Sequence, residues 1–429
     1  MTHKNPKTDR AVAISVLSGV LETGAFANIA LRKIFTEVTL DSRARAFVTD
    51  LVNETLRNLL QIDHILNKLS KTPVDKMKPF IRNLLRISTC QIKFMAKIPD
   101  RAAVNEAVLL AKAYGFHNLT GYVNGVLRNV AREETGNIQD PVLKYSYPKW
   151  LMEKLVEWLG NDSAIAFCEN SHQPPPVIVL TNTTKICQAN LAKIFKEEEI
   201  DATPLEELNE KHPFFILRKT GDITRLKSFN DGLFYVLDPG TIHAIDAVNA
   251  QPGQTIIDLC AAPGGKTFAM AAAMQNKGKL LAYDIHPHRV ELIRQTRKRL
   301  ELPIISAAVG DATVFNPELE NAADAVLLDV PCSGLGTIRK HPEIKYTRQP
   351  QDIADLAQKQ RQMLAVAAKY VKPGGKLIYC TCTITSEENS NNIAHFLHTN
   401  ANYTLAHDKQ ILPCATNDGF YVATIVRKI

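Results

Sequence analysis

The chain has 429 residues, of which 45% are hydrophobic and 22% are charged. This length exceeds one compact domain, so two or three domains are expected, and the composition excludes a largely disordered chain. The 51 Lys and Arg residues outnumber the 44 Asp and Glu residues, which gives a formal net charge of +7. That excess is a mild bias toward acidic partners such as RNA and does not establish one.

The cellular setting is predicted from what the sequence does not contain. No stretch is apolar over the length needed to cross a bilayer, and the first residues do not form a signal peptide. We therefore expect a soluble cytoplasmic protein without a membrane partner. Eight cysteines are scattered along the chain and none forms a C-x-x-C pair, so neither a disulfide framework nor a metal site is expected.

Residues 8–135 are predicted to be nearly all helical. Gly24 should end the first helix, and the stretch from Asp41 to Thr72, which has no Gly or Pro, predicts one long helix ended by Pro73. Two further amphipathic segments follow, RAAVNEAVLLAKAYG and GYVNGVLRNVARE. This helical bundle has no visible chemistry, and its basic residues could be a solvated face: Arg82, Arg86, Lys93, Lys97 and Arg101.

A linker is predicted over residues 140–148, followed by a small α/β or α+β piece over about 150–235. Its strand-like segments are PPVIVLTN and PFFILRK, with the helix-like segment KICQANLAKIFKEEE between them. From about residue 240, buried strands alternate with helices: QTIIDLC, KLLAYDI, IISAAVGDA, ADAVLLDVP and GKLIYCTC, with the tail GFYVATIVRK as the last of the set. This alternation predicts a parallel, doubly wound sheet.

In such a sheet, ligands bind at the carboxyl ends of the strands. The first strand is followed by AAPGGKT, whose glycine pair leads into a helix N-terminus. The next three strands end in Asp284, Asp311 and Asp329, and Asp284 is placed to bind ribose hydroxyls. The layout indicates a nucleoside site. A dinucleotide site is an alternative that the absence of G-x-G-x-x-G disfavours, and Asp311 and Asp329 could instead cap helices.

Two cysteines are predicted to converge on the same edge of the sheet. Cys380 lies deep in the apolar run of LIYCTC and is expected to be a small core residue. Cys382 lies at the strand exit, and Cys332 lies in the turn DVPCSG after the neighbouring strand. With Asp329 between them, the two thiols form a candidate reactive group.

The segments DLCAAPGGKT, DVPCSGLGTIRKHPEIKY and YCTCT resemble the motifs of RNA cytosine-5 methyltransferases that use S-adenosylmethionine. Within that superfamily the chain is similar to the bacterial RsmB (Sun/Fmu) family, and its helical segments resemble a NusB-type RNA-binding module. The resemblance implies an all-α NusB-like domain at 1–140, a small α/β (RRM-like) RNA-binding subdomain at 141–235, and a Rossmann-like methyltransferase domain with a mostly parallel sheet at 236–429.

The resemblance also implies roles for matching residues. Cys382 would be the nucleophile, Cys332 would assist product release, and Asp329 would contact both the base and the cofactor region. Asp284 would bind the ribose of the cofactor and Asp311 would lie near its adenine. The remaining cofactor contacts would come from one loop: Cys260, Ala261, Ala262, Pro263, Gly264, Gly265 and Lys266.

The implied reaction is methylation of carbon 5 of one cytidine in small-subunit (16S) ribosomal RNA, unassembled or partly assembled, by a monomer. A thiolate adding to carbon 6 would make carbon 5 nucleophilic, and the base would be flipped out of any stack. Two other functions stay open at this point: a non-catalytic RNA-binding or assembly factor, and an NAD-dependent oxidoreductase.

The chain departs from the family pattern in a few places. Thr383 follows Cys382 where serine is usual, LTN stands at 180–182, and the 235–246 stretch differs around Asp238. These changes affect substrate details more than reaction type. Candidate phosphate contacts are basic residues in two segments: Arg339, Lys340 and Lys345 in one, and Arg289, Arg294, Arg297, Lys298 and Arg299 in the other. The second group could equally be a solvated helix face.

Overall fold

The computed structural model describes residues 8–134, 136, 138–208, 211–218 and 220–429. The chain divides into two compact units, one formed by residues 1–172 and 338–348 and the other by 173–337 and 349–429. Thr135, the last residue of the predicted helical stretch, lies outside the described residues.

The helices are α1 Asp9–Thr23, α2 Ala27–Glu37, α3 Ser42–Arg57, α4 Leu59–Leu69, α5 Pro79–Phe94, α6 Asp100–Ala113, α7 Thr120–Arg132, α8 Pro141–Lys144, α9 Lys149–Leu159, α10 Asn161–His172, α11 Gln188–Glu197, α12 Lys227–Asn230, α13 Ile242–Val248, α14 Gly265–Ala273, α15 Pro287–Leu300, α16 Ile344–Thr347, α17 Pro350–Tyr370 and α18 Ser390–Thr399. The strands are β1 Val177–Thr181, β2 Asp201–Pro204, β3 Phe214–Arg218, β4 Phe234–Val236, β5 Thr255–Leu259, β6 Lys279–Asp284, β7 Ile305–Val309, β8 Ala323–Asp329, β9 Val371–Thr381, β10 Tyr403–Ile411 and β11 Phe420–Arg427.

The first unit is helical, as predicted, and α1 ends at Gly24, which adopts the left-handed conformation. The prediction of one helix from 41 to 72 is wrong, because the chain breaks at Asn58 between α3 and α4. The Asn58 amide nitrogen donates to the backbone carbonyl and the carboxylate of Glu54. This side-chain bonding gives the backbone an alternative to a continuous helix.

The predicted linker is packed rather than loose, since α8 occupies part of it and Tyr147 is fully buried. Among the basic residues that we named as a possible solvated face, Arg86 is buried and forms a bidentate ion pair with Asp63, at 2.8 and 2.6 Å. The prediction of a solvated face is therefore wrong for Arg86, whose charge is used inside the bundle.

Residues 338–348 belong to the helical unit although the sequence places them after the fourth strand of the large sheet. Lys345 is 1% exposed, and its Nζ donates to the backbone carbonyls of Arg57 and Tyr145 at 2.9 and 3.1 Å. Arg339 is also buried. The prediction of phosphate contacts is wrong for Lys345 and unsupported for Arg339, whereas Lys340 is exposed and stays a candidate.

The second unit begins with a small antiparallel sheet of order β2-β3-β1-β4, with α11 beside β2. The predicted strands and helix of this piece are present, and the short β2 and β4 were missed. Asn182 belongs to the LTN segment, which differs from the family pattern. It is fully buried and donates to the carbonyls of Gly232 and Leu300. It therefore ties this small sheet to the end of α15.

The large sheet has the order β10-β11-β9-β8-β5-β6-β7. Strands β9, β8, β5, β6 and β7 are parallel, and β11 and β10 add an antiparallel edge. The predicted Rossmann-like domain with a mostly parallel sheet is confirmed, although α13, α18 and β10 were missed. Strand order reverses between β5 and β8, which is where ligands bind in open α/β sheets. Among the described residues, no helix combines the length and apolar character needed to span a membrane.

The arginines of α15 mostly bind the protein itself. Arg294 and Arg297 donate to the carbonyls of Ala307 and Ile305, which belong to strand β7. Arg299 donates to carbonyls of the small-sheet region and lies over the ring of Phe229. The guanidinium groups of Arg297 and Arg299 are partly buried in these contacts and have a structural role, whereas Arg294 is exposed, so the solvated-face alternative still describes it.

Candidate active site

A cavity of about 380 Å³ opens at the carboxyl edge of the parallel strands in the second unit. Its volume lies in the range of small-molecule and cofactor sites. Eight of the predicted site residues line it together: Cys260, Ala262, Lys266, Asp284, Asp311, Asp329, Cys332 and Cys382. Ala261, Pro263, Gly264 and Gly265 belong to the same loop but are not among the residues that line the cavity; Ala261 and Gly264 are buried, and Pro263 is exposed.

The glycine pair of this loop is required by neighbouring side chains of the protein. A Cβ at Gly264, whose φ is +107°, would lie 2.4 Å from the Phe268 ring, and one at Gly265 would lie 2.8 Å from Leu237. We predicted that these glycines let a ligand approach the backbone. The contacts that exclude a side chain come from helix α14 and from the chain entering the domain, so packing explains the glycines without a ligand.

Asp284, at the end of β6, is held in a fixed orientation beneath the cavity. Its carboxylate is 4% exposed and accepts hydrogen bonds from the backbone nitrogens of His286 and Ala262 at 3.0 and 3.3 Å. Arg289 lies 4.0 Å away. A buried acceptor oriented in this way is suited to receive hydrogen bonds from ligand hydroxyls.

Asp311, in the turn after β7, bonds locally. One of its carboxylate oxygens accepts from the backbone nitrogen and the hydroxyl of Thr313 at 2.8 and 2.7 Å, and these bonds lower the pKa of Asp311. These bonds close a local turn, and the next helical turn begins at Pro317 with Asn316 as its cap, so the helix-capping alternative is wrong for Asp311. The residue nevertheless lines the cavity.

Asp329, at the end of β8, is fixed by two partners. Lys266 Nζ lies 2.6 Å from one carboxylate oxygen, and Cys380 Sγ lies 3.5 Å from the other. Burial opposes the charge of Lys266, but Asp329 outweighs it and the pKa of Lys266 is raised. Cys380 is fully buried, as predicted, and it pairs with Asp329 in the register of β8 and β9. Its contact with a site carboxylate was not foreseen.

Asp258 lies behind the loop and was not singled out as a site residue. It is 1% exposed, accepts a hydrogen bond from the Thr267 hydroxyl, and has a second oxygen without a hydrogen-bond partner. Burial raises the pKa of Asp258 to about 7. Its bond to Thr267 fixes the first turn of α14 behind Lys266.

The two predicted cysteines meet. Cys332 Sγ and Cys382 Sγ are 3.3 Å apart, and both residues are half-buried at the cavity wall. The hydrogen bond with Cys382, together with burial, raises the pKa of Cys332 well above the ordinary value for a thiol. The raised pKa favours the protonated form of Cys332, and either sulfur can be the donor of the hydrogen bond between the two thiols.

Part of the cavity wall was missed in the sequence. Asp418 and Gly419 line it from the turn between β10 and β11, together with Phe420, the first residue of β11, and Thr337. Because β11 runs antiparallel to β9, its first residues lie at the edge where the parallel strands end. An antiparallel assignment of the last strand was the signal that could have placed these residues at the site.

Comparison with known proteins agrees with this architecture. Residues 245–426 match the family model described as 16S rRNA methyltransferase RsmB/F, residues 7–132 match the NusB family, and 147–211 match the ferredoxin-like domain of RsmF/B-like methyltransferases.

Two curated relatives extend the match along most of the chain. A probable ribosomal RNA small subunit methyltransferase B of Bacillus subtilis is 35% identical over 90% of this chain and 88% of its own length. The ribosomal RNA small subunit methyltransferase B of Proteus mirabilis is 31% identical over 98% of both chains.

Among solved structures, the crystal structure of PH0851 has a TM-score of 0.81 at 26% identity and covers 98% of both chains. A methyltransferase homologue from Pyrococcus horikoshii has a TM-score of 0.57 at 26% identity, over 68% of this chain and 98% of that one. With a NusB-like helical region, a ferredoxin-like piece and a parallel-sheet domain carrying the paired cysteines, the chain belongs to the RsmB/F family of 16S rRNA methyltransferases.

Proposed function

We propose that this protein transfers a methyl group from S-adenosylmethionine to carbon 5 of a cytidine in small-subunit ribosomal RNA, through a covalent bond between Cys382 and carbon 6. One observation carries the proposal: two thiols 3.3 Å apart share a cavity with Asp329 and with the loop after β5. The names of the relatives support the class of substrate, small-subunit ribosomal RNA.

The residues on one side of the cavity fit a cofactor with a nucleoside part. Asp284 offers a buried, oriented carboxylate at the end of the second strand, and the apolar Ile285 and Ala312 line the cavity near it. The carboxylates that line the cavity outnumber the Lys and Arg side chains, and this excess of negative charge favours a ligand that carries positive charge. The carboxylates are those of Asp238, Asp284, Asp311, Asp329 and Asp418, and the cations are Lys266, Arg289 and Lys359. S-adenosylmethionine, when bound, supplies an electrophilic methyl group on a cationic sulfur.

Cys382 is the proposed nucleophile. Its thiolate adds to carbon 6 of the cytosine ring, and electron density moves onto carbon 5, which then accepts the methyl group. Before this attack, the protonated thiol of Cys332 donates a hydrogen bond to the Cys382 sulfur and stabilises a thiolate there.

Cys332 is proposed to change role after the attack. The main cause of its raised pKa is the hydrogen bond with Cys382, and that interaction weakens once the Cys382 sulfur is bonded to carbon. The pKa of Cys332 then falls toward its ordinary value. Cys332 releases its thiol proton to solvent through the open cavity, and the resulting thiolate, or a base acting with it, then takes the carbon 5 proton. The bond between Cys382 and carbon 6 breaks as this proton leaves, and Cys382 is regenerated as a thiolate.

Asp329 is proposed to orient the base. Lys266 and Cys380 hold its carboxylate at the cavity wall, which fixes a group able to hydrogen-bond the edge of a flipped-out cytosine.

We also propose that residues 1–140 and 141–235 serve as RNA-binding domains, that 236–429 is the catalytic domain, and that the protein acts as a monomer.

The test separates the two cysteines. Cys382→Ala should abolish methylation of small-subunit ribosomal RNA, whereas Cys332→Ala should accumulate a covalent protein–RNA adduct that survives denaturing electrophoresis. Bisulfite sequencing of ribosomal RNA from a deletion strain locates the modified cytidine. Full methylation by Cys382→Ala would remove the proposal, and an absence of S-adenosylmethionine binding in calorimetry would favour a non-catalytic RNA-binding factor instead.

A further inference from the structure

The residues on both sides of each site cysteine are held by hydrogen bonds. Before Cys332, the Pro331 carbonyl accepts from the Gln360 side chain at 3.0 Å. After it, the Ser333 hydroxyl lies 2.7 Å from the hydroxyl of Thr383, the residue that follows Cys382. The two cysteine loops are therefore bonded to one another next to the sulfur atoms.

Glu388 lies at the centre of these contacts and is fully buried. One carboxylate oxygen accepts from the backbone nitrogen of Ser333 at 2.8 Å and from Gln360 Nε2 at 2.9 Å. The other accepts from the Ser333 hydroxyl at 2.5 Å and from the Thr385 hydroxyl at 2.9 Å. Four donors thus converge on one carboxylate from both cysteine loops and from helix α17.

Within the described part of the chain, Glu388 forms no salt bridge, and its donors are neutral groups of Ser333, Gln360 and Thr385. A buried carboxylate without a cation is costly, and hydrogen bonds from neutral groups offset that cost only when several donors are in place. The loops around Ser333 and Thr385 must therefore keep this arrangement, because releasing any donor leaves the charge less compensated.

We propose that Glu388 is a positioning residue, which holds the Cys332 loop against the Cys382 loop and so sets the distance between the two sulfur atoms. This assignment deepens the proposed function and rests on it for its catalytic consequence. It contributes no atom to the reaction. Its effect passes through Ser333 to Cys332, and through the Ser333–Thr383 contact to Cys382.

Two substitutions of Glu388 distinguish the effect of its hydrogen bonds from the effect of its charge. Glu388→Gln keeps the shape: the amide oxygen can accept from Ser333 N and Gln360, and the amide nitrogen can donate to the two hydroxyls, which rotate to accept. Glu388→Ala removes all four bonds. Tyr403→Phe is the matched control, because it removes one buried hydrogen bond of the same unit, to the Ala368 carbonyl, away from the cysteines.

The first measurement does not depend on methyl transfer. Phenylarsine oxide reacts with two neighbouring thiols, forming two sulfur–arsenic bonds and releasing one water, so its binding reports the spacing of the pair. The exposed Cys187 and Cys414 are replaced by Ser in every variant. Arsenical binding should be lost in Cys332→Ala and Cys382→Ala and kept in Glu388→Gln and Tyr403→Phe. It should be weakened about tenfold or more in Glu388→Ala, because the four hydrogen bonds that hold the two loops together are lost.

The second measurement is methyl transfer at saturating S-adenosylmethionine. Glu388→Ala should lower kcat by about 10²-fold with KM for RNA unchanged, and Glu388→Gln should restore kcat to within about threefold of the wild type. Ser333→Ala is a milder change that removes the hydroxyl linking Glu388 to Thr383, and it should also lower kcat. It serves as the test if Glu388→Ala does not fold.

Three outcomes would overturn the assignment: unchanged arsenical binding in folded Glu388→Ala and Ser333→Ala, equal losses in Glu388→Gln and Glu388→Ala, or equal losses in Tyr403→Phe. The proposed function can fail separately. If Cys382→Ala methylates RNA normally while the arsenical pattern is as expected, Glu388 positions the thiols but the covalent mechanism is wrong.

Discussion

Gly336 offers a sharp test of how closely the Cys382 loop must be placed. Its backbone nitrogen donates to the Cys382 carbonyl at 3.0 Å, and its carbonyl accepts from Gly419 N at 2.8 Å. A Cβ at this position would lie 2.4 Å from the Gly419 carbonyl oxygen and 2.8 Å from the Cys382 carbonyl oxygen. Ordinary contact begins at 3.4 Å, so Gly336→Ala requires Gly419 to move by about 1 Å and Cys382 by about 0.6 Å.

A displacement near 1 Å at a reacting group can cost about 10²-fold in rate, equivalent to about 2.7 kcal/mol of activation free energy. We therefore expect Gly336→Ala to lower single-turnover methyl transfer by 10- to about 100-fold with saturating RNA and cofactor. Gly419 also lines the cavity, so the affinity for S-adenosylmethionine, measured by calorimetry, should change less than the rate.

Gly125→Ala is the matched control, because a Cβ there meets open space and the residue lies within helix α7. It should leave the rate unchanged and stabilise the protein by up to about 1 kcal/mol. A rate for folded Gly336→Ala within twofold of the wild type would refute the claim that the backbone contact of Gly336 with Gly419 fixes the Cys382 loop.

Two further predictions concern the cofactor side of the cavity and the helical unit. Asp284→Asn should weaken S-adenosylmethionine binding about tenfold, since it replaces a charged acceptor by a neutral one; calorimetry checks this, and unchanged affinity would exclude Asp284 from the cofactor site. Burial lowers the pKa of Lys345 to about 7, so the unfolded chain binds a proton that the folded chain has lost between about pH 7 and 10.4. The cost of burying Lys345 in the folded state therefore decreases as the pH rises through that window. The melting temperature of the wild type should rise over the same window relative to that of Lys345→Met. If the two melting temperatures change in parallel with pH, the lowered pKa of Lys345 is wrong.

The parts of the fold that could be predicted are those in which local pattern and tertiary position agree. The continuous apolar runs of β5 to β9 predicted the parallel sheet, and residues at the ends of these strands came together because parallel strands end at one edge. Asp284, Asp329, Cys332 and Cys382 were all found by that rule. Their roles in binding and catalysis stay predictions.

The parts that failed depend on contacts that the local sequence does not encode. Asn58 ends a helix through its own side chain, in a stretch whose periodicity continues across it. Lys345 looks like a surface cation, yet segment 338–348 packs into the helical unit and leaves it facing carbonyl oxygens. Glu388 lies in a polar run, SEENSNN, for which we predicted no role, and only the tertiary structure shows its four donors.

The register of β8 and β9 explains why neighbouring cysteines in the same motif differ in what they can do. Asp329 pairs with Cys380 inside the sheet, where burial and the nearby carboxylate raise the pKa of that thiol well above its ordinary value. Two residues later the strand has ended, and Cys382 lies half-buried beside Cys332 at the cavity. A shift of one residue in this register would move Asp329 away from Cys380 and turn the Cys382 side chain away from the cavity. The pairing of the two central strands therefore decides which thiol can reach a substrate.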